Sequence, residues 1–544
     1  MFHLVLVTIW LIGAWLRVYR QAQFYQIEEY MGLRYLRWCM ADRTRVIPSR
    51  PLLAWLLGLI LSIMLTEEAA IQRPYIVLGI AAIVAVIPPS TKEIKKSLVL
   101  TNRVKRLLIC SGLVALAAMS AAQSLLVSLP PSNHVFTFTA SASIGFACFL
   151  LAPLWLVLGN TLIQPLEALI RRRYLNEAAV LLRQINPTVI GITGSYGKTT
   201  TKFFLRDILS VRYQTYATPK SYNTLMGISL AINRDLKGDY RTEYFISEMG
   251  AYVEGEIERI CHLTPPDIAI VTEIGPQHLE RFGSLENIQN AKYELIRNLP
   301  PDGAAVFNWD NPYIRNMADQ GYPATRLMVS REVSAEKAKA HGLTWVASDI
   351  ETSLAGISFS AIHIETGEIK RITADIVGEH NVTNLLLCIA LARHEGIPLS
   401  DIALRIRSLR PAESRLVPET TAAGITIIND AYSANPAGVV SALTLLGMYE
   451  TGRRLLITPG MIELGELHES ENGKLGLLAA EYATDIILIG QSQTAPILRA
   501  IQSTSFDQAR LQVVDTLQEA VSWYQRNLQA GDAVLFLNDL PDTY

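Results

Sequence analysis

Five apolar segments precede residue 165, at about residues 2–16, 51–66, 74–89, 106–128 and 137–163. A membrane-spanning helix needs ~20 predominantly apolar residues, with a range of about 17–25. The last two segments reach that length comfortably, whereas the first three are short. For the short segments, buried helices of a soluble core are the alternative interpretation.

The polar connections between these segments alternate between basic and non-basic. The second connection has Glu67, Glu68 and Arg73, and the fourth, "SLPPSNHVFTF", has no Lys or Arg. The first, third and last connections are basic and carry Arg17, Arg20, Arg34, Arg37, Arg43, Arg45 and Arg50, then Lys92, Lys95, Lys96, Arg103, Lys105 and Arg106, then Arg171, Arg172 and Arg173. This alternation follows the positive-inside rule for five spans. It predicts a multi-pass protein of the cytoplasmic membrane with its N-terminus outside and its later domains in the cytoplasm.

From about residue 185 short apolar runs alternate with amphipathic stretches. "TVIGITG", "YFISEMG", "DIAIVTEIG" and "AAVFNW" are typical of buried strands, and "TTKFFLRDILSV" and "SLENIQNAKYELIRNL" have the helical period. Strands that alternate with helices predict a mostly parallel α/β sheet. A second α/β pattern begins near Ala423, and the turn "LRPAESR" near Pro411 separates the two. We therefore predict a membrane α-helical region over 1–170, a central α/β domain over 185–411 and a Rossmann-like α/β domain over 412–544.

Composition agrees with this division into three parts. The chain has 544 residues, of which 18% are charged, against about 25% in a typical soluble domain, and the deficit falls mainly before residue 165. The five cysteines are scattered without ligand spacing and are interpreted as reduced, apolar side chains. We expect no nucleic-acid partner.

A glycine-rich stretch, "VIGITGSYGKTTTKFFL" at 189–205, lies between a predicted strand and a predicted helix. Such a turn directs backbone N–H groups and the positive end of a helix at one point, which suits phosphate. Lys198 would reach the β/γ-phosphates and the Thr199 hydroxyl would hold Mg²⁺. The first glycine of the general G-x-x-x-x-G-K-[ST] pattern is replaced by Ile192. The predicted nucleotide contacts are Gly194, Ser195, Gly197, Lys198, Thr199 and Thr200; the alternative is a glycine turn with an exposed lysine.

Several stretches resemble the Mur ligase family, whose members join a carboxylate to an amine at the expense of ATP. "GITGSYGKTT" resembles the ATP loop of that family. In the family's order there follow "TPKSYNTLMGISLAI", "ISEMGA", "EIGPQHLERFGSLENIQNAKYELI" and "GEHNVTNLLLCIALA". "DAYSANP" followed by "MIELGE" is closest to the branch that adds D-alanyl-D-alanine to UDP-N-acetylmuramoyl-tripeptide. The resemblance covers about residues 187–535.

The resemblance implies ATP and Mg²⁺ as cofactors and assigns roles to further residues. From the residues alone, a salt bridge or a hydrogen-bonded strand-end carboxylate is the preferred explanation of Glu248, whereas the family order implies a metal ligand. His278 would be a second-metal ligand, and Lys292 would be carbamylated to an anion that helps to hold that metal. The residues that would contact ATP from the hinge and the C-terminal domain are Asn381, Arg415 and Asp430. Of these, Arg415 would also steady the γ-phosphate.

The reaction implied by the resemblance forms an acyl phosphate, which an amine then attacks, with closure of the C-terminal domain completing the site. Relatives carry an N-terminal domain that grips the UDP part of the substrate, and here the membrane region stands in its place. The expected partners are a peptidoglycan precursor, D-alanyl-D-alanine or a related amine, and membrane lipid. A lipid-linked acceptor is one hypothesis, with Arg17 to Arg50 and Lys92 to Arg106 meeting its phosphates.

Two departures from the family pattern bear on the substrate. Ser414 stands where the family usually has glycine, and "FLNDLPDTY" replaces a "KGS"-like ending. Three alternatives to a ligase of wall synthesis remain open: a capsule or polyglutamate-type amide ligase, a transporter driven by a P-loop ATPase, and a non-catalytic scaffold.

Overall fold

The computed structural model describes residues 2–28, 30–65, 72–87, 98–128, 134–410, 416–430 and 435–537. It divides into two compact units, the first ending at Arg172 and the second beginning at Arg173. Several residues used above lie outside the described ranges: Glu67, Glu68, Lys92, Lys95, Lys96, Pro411, Ser414, Arg415 and most of the terminal "FLNDLPDTY".

The first unit is helical. Its helices are α1 (Phe2–Ile27), α2 (Gly32–Met40), α3 (Arg43–Val46), α4 (Ser49–Met64), α5 (Gln72–Val86), α6 (Asn102–Ser128), α7 (His134–Leu150) and α8 (Ala152–Ile185), the last of which continues into the second unit. Within the described residues α1, α6 and α8 are long and apolar enough to cross a membrane, and α4, α5 and α7 are shorter apolar helices. Helix α1 extends well past the predicted apolar segment 2–16, because polar residues continue the helix to Ile27.

The fifth apolar segment, predicted as one helix over 137–163, is interrupted at Leu151. Pro153 lacks the N–H group that would bond to the carbonyl of Phe149, four residues earlier. That carbonyl accepts a hydrogen bond from the Arg17 guanidinium instead (Nη1 to O, 3.3 Å). Helical hydrogen bonds continue on both sides, from Leu151 N to Ala147 O and from Trp155 N to Leu151 O. The interruption is therefore a proline kink.

Arg17 does not face solvent as the basic-connection pattern implied. Its side chain is buried, and its Nη2 also donates to the carbonyls of Arg45 (2.9 Å) and Val46 (2.7 Å). Arg106 likewise forms a bidentate pair with Glu167 (2.6 and 3.1 Å). In the structure both guanidinium groups therefore bind partners within the first unit.

The second unit contains two sheets. Its strands are β1 (Thr188–Thr193), β2 (Thr215–Ala217), β3 (Tyr244–Glu248), β4 (Ile268–Val271), β5 (Ala304–Asn308), β6 (Thr325–Ser330), β7 (Trp345–Ser353), β8 (Gly356–His363), β9 (Ile369–Ala374), β10 (Val417–Thr420), β11 (Thr426–Asp430), β12 (Arg454–Thr458), β13 (Asp485–Ile489), β14 (Leu511–Val514) and β15 (Ala533–Leu537).

The helices of the second unit are α9 (Lys198–Leu209), α10 (Leu225–Asp235), α11 (Glu256–Leu263), α12 (Leu279–Phe282), α13 (Leu285–Arg297), α14 (Pro312–Ala318), α15 (Ala335–Ala338), α16 (His380–His394), α17 (Leu399–Arg407), α18 (Pro436–Gly447), α19 (His468–Tyr482), α20 (Ala495–Gln502) and α21 (Leu517–Asn527). Single 3₁₀ turns occur at Lys339–His341, Gly465–Leu467 and Gln508–Arg510.

The first sheet has nine strands in the order β2-β3-β1-β4-β5-β6-β7-β8-β9. Its strands are parallel from β2 to β7, and β8 and β9 add antiparallel pairs. The second sheet has six strands in the order β10-β11-β15-β12-β13-β14, parallel except for β10. The predicted mostly parallel central sheet and α/β C-terminal domain are confirmed.

Strand β1, at whose carboxyl end the candidate site lies, is covered on both faces. Ile190 and Ile192 face one apolar core with Phe204 of α9, and Val189 faces a second core with Leu295 of α13. A Cβ at Gly191 would lie 2.5 Å from Leu295 Cδ1, so this glycine lets α13 approach the strand closely. Parallel pairing of β1 with β3 and β4 brings the carboxyl ends of all three strands to one edge.

Candidate active site

The glycine loop joins β1 to α9 at that edge. Gly194 has φ of 151° and Gly197 has φ of 79°, in the region that favours glycine. A Cβ at Gly194 would lie 2.1 Å from Thr272 Oγ1, and one at Gly197 would lie 2.6 Å from Asn384 Oδ1. Both glycines are therefore required by conformation and by space. The loop presents the N-terminus of the 12-residue helix α9 to the pocket, an arrangement that suits a phosphate.

Two loop side chains bond to the protein's own backbone. Lys198 Nζ donates to the carbonyls of Gly194 (2.6 Å) and Ser195 (2.9 Å), so its ammonium lies over the loop. Ser195 Oγ donates to Gly275 O (3.0 Å) and accepts from Gly275 N (3.1 Å). The Ser195 hydroxyl therefore fixes the loop, and its expected nucleotide contact would come from the backbone.

Glu248 ends β3 and is almost completely buried, with 1% of its surface exposed. Its carboxylate accepts hydrogen bonds from Thr199 Oγ1 (3.0 and 3.1 Å), Asn223 Nδ2 (3.1 Å) and Lys202 Nζ (2.9 Å). Burial alone would raise the pKa of Glu248, but the ammonium groups of Lys202 and Lys198 hold the pKa below its usual value. The salt-bridge alternative for Glu248 is thus present, and its partner, Lys202, was not predicted.

Lys292 lies on the buried face of α13 and is 3% exposed. Its ammonium makes no hydrogen bond or ion pair with any residue that the structure describes. Burial lowers the pKa of Lys292 well below its usual value, and the charge of Lys198 lowers it further, against the opposing effect of Glu294. Carbamylation requires a neutral amine, and a lowered pKa of Lys292 is a shift in that direction.

His278 precedes α12 with a positive φ of 56°. Its Nδ1 forms a short contact with Oε2 of Glu463 in the C-terminal domain. The ring also meets Tyr252 edge-on, with centroids 4.6 Å apart. One pocket gathers Lys198, Thr199, Glu248, His278 and Lys292 at its wall. The structure thus brings together the predicted phosphate-binding and metal-ligating residues.

A second pocket opens on the other side of the glycine loop. Its lining includes Gly197, Thr200, Asn381, Asp430 and Asn435. Asn381 and Asp430, the two predicted nucleotide contacts outside the loop that the structure describes, therefore lie in one cavity although they come from different domains. Arg415, the third, lies outside the described residues.

Hydrogen bonds and a perturbed carboxyl define the polarity of this second pocket. Asn381 donates to Val377 O (2.8 Å) and accepts from Asn384 Nδ2 (3.1 Å). Burial raises the pKa of Glu273 from 4.5 to about 7, although hydrogen bonding by Asn311 opposes this shift. Glu273 also accepts from Asn308 Nδ2 (2.8 Å). Sequence reasoning missed Glu273, because its partners Asn308 and Asn311 lie 35 and 38 positions further along the chain.

The donor set at Glu248 fits a magnesium ion. The Thr199 hydroxyl and the Glu248 carboxylate are oxygen ligands at hydrogen-bond distance from each other, and both face the pocket. Within the described ranges no group of three or more His, Cys, Asp or Glu residues is arranged to hold a metal. Any cation here would therefore complete its coordination with other oxygens, such as those of phosphates or of a carbamate on Lys292.

The site combines a phosphate-binding loop on a parallel sheet with a buried carboxylate and a buried lysine beside the loop. A second α/β domain reaches over it. These features define a two-domain nucleotide-dependent enzyme. Two family models match the chain: the Mur ligase middle domain over residues 192–392 and the Mur ligase glutamate ligase domain over 415–538. The chain belongs to the Mur ligase family and is an ATP-dependent carbon–nitrogen ligase.

Curated relatives of similar sequence are named UDP-N-acetylmuramoyl-tripeptide–D-alanyl-D-alanine ligase. The one from Bacillus subtilis is 29% identical, over 66% of this chain and 74% of its own length. The one from Mycobacterium tuberculosis is 30% identical, over 64% and 69%. A solved structure of MurF from Acinetobacter baumannii is 27% identical with a TM-score of 0.57, covering 68% of this chain and 77% of that one. These comparisons confirm the resemblance to the MurF-like branch.

Proposed function

We propose that the protein is a membrane-anchored ligase of peptidoglycan precursor synthesis that joins D-alanyl-D-alanine to a muramoyl-tripeptide at the cytoplasmic face. One observation carries the proposal: Lys198, Thr199, Glu248, His278 and Lys292 converge on one pocket. Similarity to ligases named for this reaction supports the choice of substrates.

The site residues account for the first half-reaction. A carboxylate of the peptide attacks the γ-phosphate of ATP and displaces ADP, which yields an acyl phosphate. Lys198 and the N-terminus of α9 would bind the transferred phosphate and offset its charge. Mg²⁺, held by Thr199 and Glu248, would add charge neutralisation on the phosphates. Asn381, Asp430 and Arg415 would hold the rest of the nucleotide.

The second half-reaction is attack of the amine on the activated carbonyl, which forms the amide and releases phosphate. The contact between His278 and Glu463 shows that the C-terminal domain reaches this pocket. Water must be kept away from the acyl phosphate, and a second domain that covers the site would exclude it. Carbamylated Lys292 would place an additional anion beside His278 for a second cation.

Membrane anchoring rests on the helices of the first unit. Within the described ranges three helices, α1, α6 and α8, are long and apolar enough to cross a membrane, and α7 with α8 would form one kinked span. The exposed Arg37 of α2 and Arg50 in the first turn of α4 would face the cytoplasm beside anionic lipid. With the N-terminus outside, the proposed topology would put the second unit in the cytoplasm, where ATP is available.

The acceptor has a second candidate form, a lipid-linked muramoyl-peptide. Both matching family models begin at or after residue 192, and the apolar helices lie before them. The resemblance to the family implies that these helices stand where relatives have a domain that grips UDP. An acceptor carried by the membrane would need no such grip. We include it as a separate arm of the test.

The test measures ADP release by the full-length protein in detergent with UDP-N-acetylmuramoyl-tripeptide and D-alanyl-D-alanine. Release that requires both substrates, with formation of the pentapeptide, is the expected result. Lys198→Ala should lower it at least 100-fold, whereas Lys220→Ala, at an exposed lysine, should not.

The same assay separates the alternatives. If ADP is released only with a lipid-linked acceptor, the nucleotide-linked substrate is wrong. If another amine, such as glutamate, replaces D-alanyl-D-alanine in the product, the enzyme is a different amide ligase. ADP release without any amine would favour a P-loop ATPase, and a folded protein that binds no ATP would favour a scaffold.

A further inference from the structure

Lys202 is a fully buried lysine on the helix that follows the glycine loop. It lies one helical turn after Lys198, with 0% of its side chain exposed. Its Nζ donates to Glu248 Oε2 (2.9 Å) and to the carbonyl of Lys220 (2.5 Å). Because Glu248 is 1% exposed, the ion pair is withdrawn from water almost completely.

A buried ion pair contributes little net free energy to folding. Desolvation of two charges offsets most of their attraction, and apolar residues of similar volume are often as stable or more stable. Hydrogen bonding does not require Lys202 either, because Thr199 and Asn223 already donate to both oxygens of the Glu248 carboxylate. The specific contribution of Lys202 is therefore its positive charge.

That charge changes what the pocket can bind. Lys202 Nζ lies 2.9 Å from the Glu248 carboxylate and Lys198 lines the same pocket, so two positive charges lie beside the single negative charge of Glu248. A divalent cation approaching Glu248 alone meets a carboxylate whose charge is already offset. Phosphates of a nucleotide, by contrast, add several negative charges, and the cation then meets a favourable site.

We propose that Lys202 is a positioning residue that makes divalent-cation binding at Glu248 conditional on the nucleotide. Its ammonium offsets the charge of the carboxylate, so that a cation is retained only together with the phosphates. The inference rests on the proposed ATP and metal site and adds a role for a residue outside the predicted set.

Lys202 also connects Glu248 with the loop after β2. The Lys220 carbonyl that it binds belongs to a residue with φ of 47°, and Asn223 of the same loop donates to Glu248 and accepts from Gly250 N (2.8 Å). Removal of Lys202 therefore affects both the charge and the loop. Variants that keep one property and lose the other are needed to separate them.

The experiment titrates Mn²⁺ into the full-length protein in detergent, with and without ADP, and measures free Mn²⁺ by electron paramagnetic resonance. The wild type should bind Mn²⁺ weakly alone and tightly with ADP. Lys202→Met should bind Mn²⁺ without ADP at least tenfold more tightly than the wild type. Lys202→Arg, which keeps the charge, should behave as the wild type does.

Lys220→Met is the matched control, because the exposed Lys220 side chain is removed while its carbonyl stays. Glu248→Gln in the Lys202→Met background should abolish the gained affinity. If Lys202→Met does not fold, Lys202→Gln, which is neutral but keeps a polar side chain that is one atom shorter, should show the same tenfold gain.

Two failures are distinguishable. A folded neutral variant whose affinity for Mn²⁺ alone equals or falls below that of the wild type would overturn the role of Lys202. A wild type that binds neither ADP nor Mn²⁺ with ADP would instead overturn the proposed nucleotide site.

Discussion

The imidazole of His278 in the central domain contacts the carboxylate of Glu463 in the C-terminal domain, across 185 positions of sequence. The backbone angle φ is positive at both residues, 56° at His278 and 59° at Glu463. Positive φ is uncommon for residues other than glycine, asparagine and aspartate. Near this contact, a Cβ at Gly465 would lie 3.6 Å from Glu280 Cγ, so the two loops approach each other closely. The pair therefore fixes two strained loops against each other at the mouth of the candidate active site.

Glu463→Ala should loosen these loops. We expect faster amide hydrogen exchange over residues 276–283 and 460–467, and a kcat lowered several-fold because the C-terminal domain closes less often. Glu466→Ala, at an exposed neighbour, is the control. Equal exchange in both variants would show that the contact does not hold the loops.

Glu273 should make stability depend on pH in the acidic range. Its pKa is raised by burial from 4.5 to about 7, so the folded protein binds more protons than the unfolded chain between these values. The stability contribution of Glu273 is therefore fully present below about pH 4.5 and is lost as the pH rises toward 7.

Glu273→Gln should remove this dependence. The variant loses one hydrogen bond from Asn308 or Asn311 at every pH, a cost of about 1 kcal/mol. Its melting temperature relative to the wild type should nevertheless rise between pH 5 and pH 8. Glu419→Gln, at an exposed position, should give a constant difference, and the same constant difference for Glu273→Gln would contradict the raised pKa.

Lys292 should contribute a pH dependence of the opposite sign. Burial lowers the pKa of Lys292 well below the usual 10.5. At pH values between the lowered pKa and 10.5, the unfolded chain therefore binds more protons than the folded protein. Stability should therefore rise with pH through that window.

Lys292→Met should abolish ligase activity, stabilise the protein near pH 7 and flatten the rise in melting temperature from pH 7 to 9. Lys237→Met, at an exposed lysine, should leave both the activity and the rise unchanged. A rise in Lys292→Met as steep as that of the wild type would mean that another group is responsible.

Arg17 should stabilise the helical unit. Its guanidinium donates to the carbonyls of Phe149, Arg45 and Val46, which would be left without this donor in Arg17→Met. An unsatisfied buried acceptor costs roughly 1–3 kcal/mol. The melting temperature in detergent should fall by several degrees, whereas the exposed Arg37→Met should change it little. Equal melting temperatures would show that water or lipid replaces the guanidinium.

Local sequence determined much of this protein. Short continuous apolar runs predict strands such as β1 and β3, because a strand that is buried on both faces needs apolar residues at every position. The glycine loop was predictable because Gly194 and Gly197 have backbone conformations that few other residues adopt. Motif order then indicated Glu248, His278 and Lys292, which the fold brings to one pocket.

Only the tertiary structure decided the environments of these residues. The burial that lowers the pKa of Lys292 comes from packing of α13 on the sheet, and the partners of Glu248 and His278, namely Lys202 and Glu463, come from other elements. The kink at Leu151 involves Arg17 from a different helix. Charge, burial and hydrogen bonding between distant positions depend on three-dimensional distance, whereas the sequence pattern records only the local preference of each segment.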